Sequence, residues 1–379
     1  MTYRICLLPG DGIGPEVIDC AVRVLCALPL GWNFIEGGIG YAEYQRSGSP
    51  LPDETLLKIR GADAALFGAV TTPPNIPNYF SPVVRMRQSL DLYANLRPIR
   101  SIPHSSAPSG IDFIIVRENT EGLYSGIERL EEDGNRAITE RVITRKGSER
   151  IIRKAFDLAR QTGRKSVHVI HKANVLRQTD GLFRAVAIEV ARDYPEITMN
   201  EMLVDTCAME LVRAPGQFEI IVTTNLFGDI LSDEACMFVG GLGVAASGNI
   251  GSDAAVFEPV HGSAPNLAGT GKANPSATLF AAAMMLDYLN ESNHANHLRQ
   301  SIETCIASGK STPDLGGNLT TSQMTNEAIA TLQTNDNVTL NEVTSYSNSK
   351  SLAASRRDSS LPSVVQNDIT SNNLERNKS

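Results

Sequence analysis

Two aspartates, Asp229 and Asp233, lie four residues apart in the segment NLFGDILSD. In a helix, residues at this spacing share one face, where like charges repel. A divalent cation would relieve the repulsion, whereas a helix cap and a solvent-exposed acid would explain the same pair without a ligand. Both interpretations stay open for the pair alone. The pattern places the apolar side of this helix at Phe227, Ile230, Leu231, Ala235 and Phe238.

Four strand-like apolar runs lead into charged residues, namely Arg117, Lys172, Asp205 and Asp229. Ligands of open α/β sheets bind beyond the carboxyl ends of the strands, so these complementary charges predict one shared site. Asp205 can complete an all-oxygen set with the aspartate pair. Three carboxylates without histidine or thiolate favour Mg²⁺ or Mn²⁺ over Zn²⁺.

The segment SPVVRMRQSLDLYANLRPIR is rich in arginine. Guanidinium groups bind carboxylates through two-point contacts. We therefore expect Arg87, Arg97 and Arg117 to bind a di- or tricarboxylate, whereas Arg85 and Arg100 fit ordinary surface arginines.

Short apolar runs alternate with helical patterns along the chain. This alternation predicts βαβ units, a largely parallel sheet and the α/β class.

The start, LLPGDGIGPE, is not the dinucleotide fingerprint, because Pro15 stands where the third glycine belongs. Residues 258–275 form a better nucleotide candidate, since small residues let a backbone approach a ligand, although a plain long connection is the alternative. Residues 126–144 alternate around a D-G turn, which predicts a surface hairpin or a protruding arm.

Composition excludes several classes of function. The 379 residues carry a formal net charge of −8 and no basic patch, so nucleic acid is not an expected partner. No apolar run is long enough to span a membrane. The six cysteines form no C-x-x-C pair, and we interpret them as buried, reduced thiols of a cytoplasmic protein without a leader segment. Residues 333–379 are rich in Ser, Asn and Thr and are predicted to be a disordered tail.

Several motifs occur in a fixed order between about residues 3 and 332: GDGIGPEV, LDLYANLRP, VRENTEGLY, HKANV, NLFGDILSD and GNIGSDAAVFEPVHGSAP. The ordered set resembles the β-decarboxylating dehydrogenases of the isocitrate/isopropylmalate dehydrogenase family, nearest the 3-isopropylmalate and homoisocitrate branches. The resemblance implies a two-domain α/β fold that is not Rossmann-like. One domain, on the cofactor side, would comprise 1–98 plus 251–332, and the other 99–250 with a dimer arm at about 124–145. A homodimer with shared active sites is also implied.

The resemblance implies roles for individual residues as well. The metal ligands would be Asp205, Asp229 and Asp233. The substrate-binding arginines would be Arg87, Arg97 and Arg117. The acid/base pair would be Tyr124 and Lys172. Lys172 and Asp205 would reach in from the neighbouring subunit. The cofactor-binding residues would be Asn174, Glu258, His261, Gly262, Ser263, Ala264, Asn266 and Asn274.

The cofactor loop departs from the family pattern at one point. Members that use NAD resemble GSAPD, and members that use NADP often show Lys followed by Tyr. This chain has Asn266 and Leu267 instead. Asn can still bond a ribose hydroxyl, and no cation is present there for a 2′-phosphate. We therefore expect NAD, with NADP as the alternative.

The resemblance implies that the reaction is NAD-dependent oxidative β-decarboxylation of a 3-substituted malate, giving a 2-oxo acid, CO₂ and NADH. In a helix, Val83 and Val84 would share a face with Arg87, while Arg85 points elsewhere. An apolar wall cannot pair with a carboxylate, which predicts a 3-isopropylmalate-type substrate. The alternatives are homoisocitrate and an alkyl- or arylmalate of a specialised amino-acid pathway. A non-catalytic regulatory subunit is disfavoured, because the acid/base pair and the metal acids are all present.

Overall fold

The computed structural model describes residues 2–73, 76 and 79–334. The predicted tail therefore lies outside the described residues, apart from 333 and 334, which belong to a helix. The strands are β1 Thr2–Gly10, β2 Gly31–Glu36, β3 Ala64–Ala69, β4 Ala94–Arg100, β5 Asp112–Glu118, β6 Glu128–Glu131, β7 Arg136–Thr139, β8 Ser166–His171, β9 Thr198–Leu203, β10 Ile220–Thr223, β11 Ala246–Ile250 and β12 Ala255–Pro259.

Most of the helices alternate with these strands, as the sequence predicts for an α/β fold, although β4 to β7 follow one another without an α-helix. They are α1 Gly14–Cys26, α2 Tyr41–Ser47, α3 Asp53–Arg60, α4 Pro82–Ser89, α5 Arg145–Thr162, α6 Thr179–Ala191, α7 Val204–Arg213, α8 Asn225–Ala235, α9 Ser276–Tyr288, α10 Ser292–Ala307 and α11 321–334.

Within the described residues, ten strands form one sheet in the order β2-β1-β3-β12-β11-β4-β5-β10-β8-β9. Six of the nine neighbouring pairs are parallel. The three antiparallel pairs join β12, β11, β4 and β5 at the centre. The largely parallel α/β fold is thus confirmed. The division into one domain of 1–98 plus 251–332 and another of 99–250 stays a prediction. The predicted boundary between them lies among the central antiparallel strands.

Local sequence explains the longest described helix, α5. Thr144 caps its start by accepting a hydrogen bond from the Gly147 amide at 2.9 Å, and Gly163 ends it in the left-handed region. Its buried side chains include Ile152, Phe156 and Ala159, which recur at helical spacing. This face packs against the sheet on the β5, β10 and β8 side. The helix therefore covers strands that carry candidate site residues.

Three expectations need correction. Asp205 does not follow a strand directly, because β9 ends at Leu203 and Asp205 lies in the first turn of α7. The apolar stripe predicted for α8 is wrong at Ile230, whose side chain is 58% exposed, since Ser232 lies on the buried side instead. The cysteines are all free thiols, but Cys26, at the end of α1, is exposed rather than buried.

The segment with the D-G turn forms an antiparallel hairpin of β6 and β7. Its strands are mostly exposed, and Leu130 is 72% exposed. The hairpin is therefore confirmed, whereas its role as a dimer arm stays a prediction. In the part of the chain that the structure describes, no helix is long and apolar enough to cross a membrane.

Candidate active site

Asp229 is the centre of a cluster that joins five predicted site residues. Tyr124 donates its hydroxyl to Asp229 Oδ2 at 2.6 Å, and Arg117 donates to Asp229 Oδ1. Arg97 contacts the same oxygen at 3.3 Å and donates to Asp233 Oδ1 at 3.0 Å. We call these five side chains the Asp229 cluster. The structure thus brings both aspartates of α8 to two strand arginines, one on β4 and one on β5.

The sequence of α8 makes room for this arrangement. A Cβ atom at Gly228 would lie 2.6 Å from Cγ of Arg117, so only glycine lets the arginine pass alongside the helix. The same guanidinium donates to Asn225 Oδ1 at 2.8 Å. Asn225 was not predicted, although a polar residue at the first position of a helix, as Asn225 is in α8, is a recognisable signal.

Burial and charge set the protonation states in the cluster. Arg117 is 1% exposed, and burial lowers its pKa to about 10 against the opposing effect of Asp229, so it stays charged at neutral pH. Burial acts to raise the pKa of Asp229, but Arg117, the hydrogen bond from Tyr124 and Arg97 together hold it below its usual value. Burial and Asp229 raise the pKa of Tyr124. The cluster therefore combines an ionised carboxylate with a protonated phenol.

A buried chain of hydrogen bonds connects this cluster to Arg87. Arg97 donates through Nε to Asn95 Oδ1 at 2.9 Å, and Asn95 donates to Asn249 Oδ1 at 2.9 Å. Asn249 in turn donates to Glu258 Oε1 at 2.8 Å, and Arg87 donates to the same oxygen at 2.9 Å. We call these contacts the asparagine network. It fixes two of the predicted substrate arginines relative to each other.

Sequence reasoning missed the two asparagines of this network. Asn95 and Asn249 are both fully buried, and each lies among small or apolar neighbours in a strand. A polar residue at an inward strand position is the signal that could have found them. Glu258, which the sequence assigns to the cofactor, is 5% exposed and contacts Arg87 in this structure. Its cofactor role stays a prediction.

Lys172 and Asp205 form a separate pair. Their side chains contact each other and are 25% and 62% exposed. Among the described residues, no contact joins either side chain to the Asp229 cluster. The described ranges also contain no group of three or more His, Cys, Asp or Glu side chains that could hold a metal ion. Asp205 therefore does not complete the metal set within one chain.

A buried ion pair positions the backbone at Lys172. Asp180, which is fully buried in the first turn of α6, accepts a hydrogen bond from the Lys172 amide at 2.6 Å. It also pairs with Arg141, which donates to Thr224 Oγ1 at 2.9 Å and lies 4.9 Å from the Phe227 ring centroid. The pair links Lys172 to the start of α8. The sequence analysis did not single out either residue of the pair.

The carboxylates of α8 fit a hard divalent cation. Asp229 and Asp233 both turn towards Arg97, and Asp229 is held in the ionised form by its neighbours. Ionised carboxylate oxygens are the ligands that Mg²⁺ and Mn²⁺ prefer. One chain supplies two such residues, and Asp205 would have to come from elsewhere to make a third.

The loop 258–275 is fixed against the start of the chain. The Ile13 amide donates to the Ser263 carbonyl at 2.9 Å, and the Thr71 and Ser263 hydroxyls lie 2.7 Å apart. A Cβ atom at Gly12 would lie 2.0 Å from the same carbonyl, so this close approach requires glycine. His261 Nε2 is buried and has no hydrogen-bond partner among the described residues. A rigid small-residue loop with an unpaired buried nitrogen fits a nucleotide.

The structure places the predicted cofactor residues in two regions. Seven belong to residues 258–275, where Glu258 still lies in β12 and the other six follow the strand, and Asn174 belongs to the turn after Lys172. Asn274 donates to Asp314 Oδ2 at 2.9 Å, which ties the far end of the loop to the body of the fold. The exposed members are Asn174, Gly262 and Asn266; Glu258, Ser263 and Asn274 are buried, and His261 and Ala264 are partly buried.

The segment with the two valines is helical, as α4. Arg85 points away, with its guanidinium 4.7 Å from the Phe80 ring centroid and 3.8 Å from Asp53. Val83 packs against a buried apolar cluster, whereas Val84 is partly buried without being part of that packing. The predicted wall therefore rests mainly on Val84.

Comparison with known proteins gives one consistent result. The model of the isocitrate/isopropylmalate dehydrogenase family matches residues 4–328. The chain is 50% identical to an isocitrate/homoisocitrate dehydrogenase of Thermus thermophilus, covering 88% of this chain and 99% of the relative. It is 45% identical to a 3-isopropylmalate dehydrogenase of Methanothermobacter thermautotrophicus, covering 86% and 97%. The crystal structure of isocitrate dehydrogenase from Methylococcus capsulatus superposes with a TM-score of 0.82 at 45% identity, covering 87% and 99%.

These matches cover nearly all of the described residues and include the Asp229 cluster, the asparagine network and the loop 258–275. The metal acids and the acid/base pair that the family resemblance implied are all present in the chain. The chain belongs to the isocitrate/isopropylmalate dehydrogenase family of decarboxylating dehydrogenases, which generally use NAD(P) and a divalent metal.

Proposed function

We propose that this chain catalyses the NAD-dependent oxidative β-decarboxylation of a 3-substituted malate. The observation that carries the proposal is the Asp229 cluster together with the asparagine network. Two buried arginines, an ionised aspartate and a protonated tyrosine meet at one point, and the network joins them to Arg87. Such a set binds two carboxylates and supplies a proton donor next to them.

Different residues of the chain bind the substrate and transfer protons. Arg87, Arg97 and Arg117 bind the malate carboxylates. Lys172, as the neutral amine, accepts the proton of the C2 hydroxyl, and NAD would take up the C2 hydride as that proton leaves. Tyr124, which its raised pKa keeps protonated, donates a proton to C3 after CO₂ has left. Asp229 and Asp233 would hold a divalent cation, whose positive charge would stabilise the negative charge that develops on the substrate oxygen.

The separation of Lys172 and Asp205 from the cluster supports a homodimer with shared active sites. The exposed apolar side chains near α7 and α8 support it, because these two helices pack together and leave such residues uncovered. A patch of this kind on a folded protein marks an interaction surface. Its members are Met209, Val212, Ile230 and Met237, each more than half exposed.

The 3-substituent has two candidates, each favoured by a different observation. Val84 next to the face of Arg87, with Arg85 directed to Phe80 and Asp53, favours an apolar substituent as in 3-isopropylmalate. The names of relatives favour homoisocitrate, because those at 50% and 48% identity are named for isocitrate/homoisocitrate and homoisocitrate. Relatives named for 3-isopropylmalate stand at 45% to 46%.

The deciding experiment measures initial NADH formation with Mn²⁺ or Mg²⁺ for 3-isopropylmalate, homoisocitrate, isocitrate, 3-benzylmalate and D-malate. Val84→Ala is assayed in parallel. If Val84 contacts an alkyl substituent, its truncation should lower kcat/KM for 3-isopropylmalate about tenfold and leave homoisocitrate unchanged. Val83→Ala is the matched control, because Val83 packs into the core and its loss should act on stability. Absence of turnover with every substrate and both cofactors would refute the proposed activity.

The cofactor and the cellular location belong to the same proposal. NAD is supported by Asn266, an exposed amide in the loop 258–275 that can bond a ribose hydroxyl. The ratio of kcat/KM for NAD and NADP tests it directly. A cytoplasmic location is supported by six cysteines that form no disulfide.

A further inference from the structure

A groove of about 740 Å³ lies away from the Asp229 cluster. Leu96 and Pro98 of β4 and Ile114 of β5 form part of its floor. Successive side chains of a strand point to opposite faces, and Leu96 and Pro98 flank Arg97. The groove is therefore on the face of the sheet opposite to the cluster.

Three helices form the walls of this groove, each through one face. Lys154 and Leu158 of α5 are one turn apart, as are Phe280 and Met284 of α9. Tyr288 at the end of α9 adds a second aromatic ring, and α10 closes the rim with polar side chains. The volume and the mainly apolar lining match those of small-molecule sites.

The charges at the rim are balanced except for one. Lys154 has no carboxylate within ion-pair distance among the described residues. The nearby Asp157 accepts a hydrogen bond from the Tyr194 hydroxyl at 2.7 Å instead. The three rim arginines each pair with an acid that also lines the groove: Arg100 with Glu303, Arg164 with Asp112, and Arg299 with Asp287.

Burial makes the unpaired lysine ready for an anion. Desolvation lowers the pKa of Lys154, with only partial opposition from Asp157. A half-buried ammonium without a partner gains more from an incoming carboxylate than a hydrated one does. The apolar surface next to it suits an uncharged ligand body.

We propose that this groove is a second ligand site, which binds a small aryl-alkyl monocarboxylate. The carboxylate pairs with Lys154, and the ring lies among Phe280, Met284 and Tyr288. One unpaired cation matches one negative charge, so a dicarboxylate would leave a charge buried without a partner. Because Leu96 and Pro98 flank Arg97, an occupant rests on the strand that carries an arginine of the cluster. The proposal does not depend on the substrate of the active site.

The test is calorimetric titration of the full chain with 3-phenylpropanoate. We expect saturable binding that Lys154→Met weakens about tenfold or more, as loss of a desolvated ion pair does. Lys146→Met is the matched control, because Lys146 is an exposed lysine of the same helix outside the groove, and it should leave binding unchanged. The neutral analogue 3-phenylpropanol should bind about tenfold more weakly than the acid, for the same reason. Lys154→Gln serves as a second variant should the methionine variant fold poorly.

Arg87→Ala separates this site from the substrate site. Binding of 3-phenylpropanoate should survive that substitution if the groove is the site, and should fall if the carboxylate occupies the substrate arginines. The proposal is overturned by an absence of saturable binding to the unaltered chain, by equal binding to the Lys154 variants, or by loss of binding in Arg87→Ala.

Discussion

The Asp229 cluster and the Lys172–Asp205 pair both consist of predicted site residues, yet the fold treats them differently. Arg97 and Arg117 are buried, and each makes several hydrogen bonds that fix its direction. Lys172 and Asp205 are partly or largely exposed, and their side chains contact each other. One half of the proposed site is thus built into the interior of a single chain, and the other half lies at the surface.

The difference teaches how such a site is assembled. Buried arginines need acceptors in place before any substrate arrives, because an unpaired buried charge is strongly destabilising. An exposed pair carries no such penalty and can be delivered to a second copy of the chain. In the proposed dimer, the Lys172 backbone that Asp180 holds would fix the direction in which the lysine reaches the second copy.

Replacing Arg117 should have the largest effect. We expect Arg117→Gln to lower the free energy of unfolding by about 3–5 kcal/mol, because it leaves Asp229 and Asn225 without their buried partner. Activity should fall with it. Chemical denaturation measures the first effect and kcat/KM the second. Arg129→Gln in the exposed hairpin is the control, and we expect it to leave the free energy of unfolding nearly unchanged. Similar losses of stability for both variants would contradict the contrast between the buried arginine and an exposed one.

Replacing Lys172 should affect activity and spare stability. We expect Lys172→Met to reduce kcat by about 10²- to 10⁴-fold, the range of an acid/base contribution, with little change in the unfolding midpoint. Steady-state kinetics and thermal unfolding of the same preparation give the two readouts. A large drop in the midpoint would show instead that the pair is structural.

A mixture of two inactive variants sharpens the comparison. If Lys172 acts in the partner's site, random mixing of Lys172→Met with Asp229→Asn should restore about a quarter of the activity, because half of the dimers are mixed and one of their two sites is intact. If Lys172 acts within its own chain, mixing restores nothing. Each variant alone is the control.

Breaking the asparagine network should have an intermediate effect. Asn249→Leu leaves Glu258 and Asn95 short of a buried partner and should lower the free energy of unfolding by about 1–3 kcal/mol. The KM for the malate substrate should rise, because Arg87 and Arg97 lose their connection. Thr278→Val is the control, since the Thr278 hydroxyl is buried and has no partner among the described residues, so its removal should be neutral or stabilising. An unchanged KM would argue against a positioning role.

The smallest effect concerns pH. The pKa of Asp229 lies below its ordinary value of 3.8 in the folded chain, so its ionisation adds stability above that value. This contribution is lost as the pH falls through the lowered pKa. We therefore expect Asp229→Asn to be less stable than the unaltered chain at pH 7 and the difference to narrow below about pH 4. Urea unfolding across pH checks this, and a constant difference would exclude the linkage.

Much of the fold follows from local pattern. The alternation of apolar runs and helical segments predicts the parallel sheet, because each such unit must bury one face against the next. The D-G turn predicts the hairpin of β6 and β7 for a reason equally local. The exposed side chain of Ile230 contradicts the predicted stripe, because helical spacing describes which residues share a face and says nothing about what covers that face.

The sequence by itself determined which side chains are available. They are the two acids one turn apart on α8, the three candidate substrate arginines, the tyrosine and the lysine. Only the tertiary structure decided how they group. Strand register places Asn95 opposite Arg117, and the asparagine network fixes Arg97 and Arg87 through Glu258. The same packing leaves Lys172 and Asp205 outside the Asp229 cluster. Such grouping depends on contacts between residues more than a hundred positions apart, which no local spacing encodes.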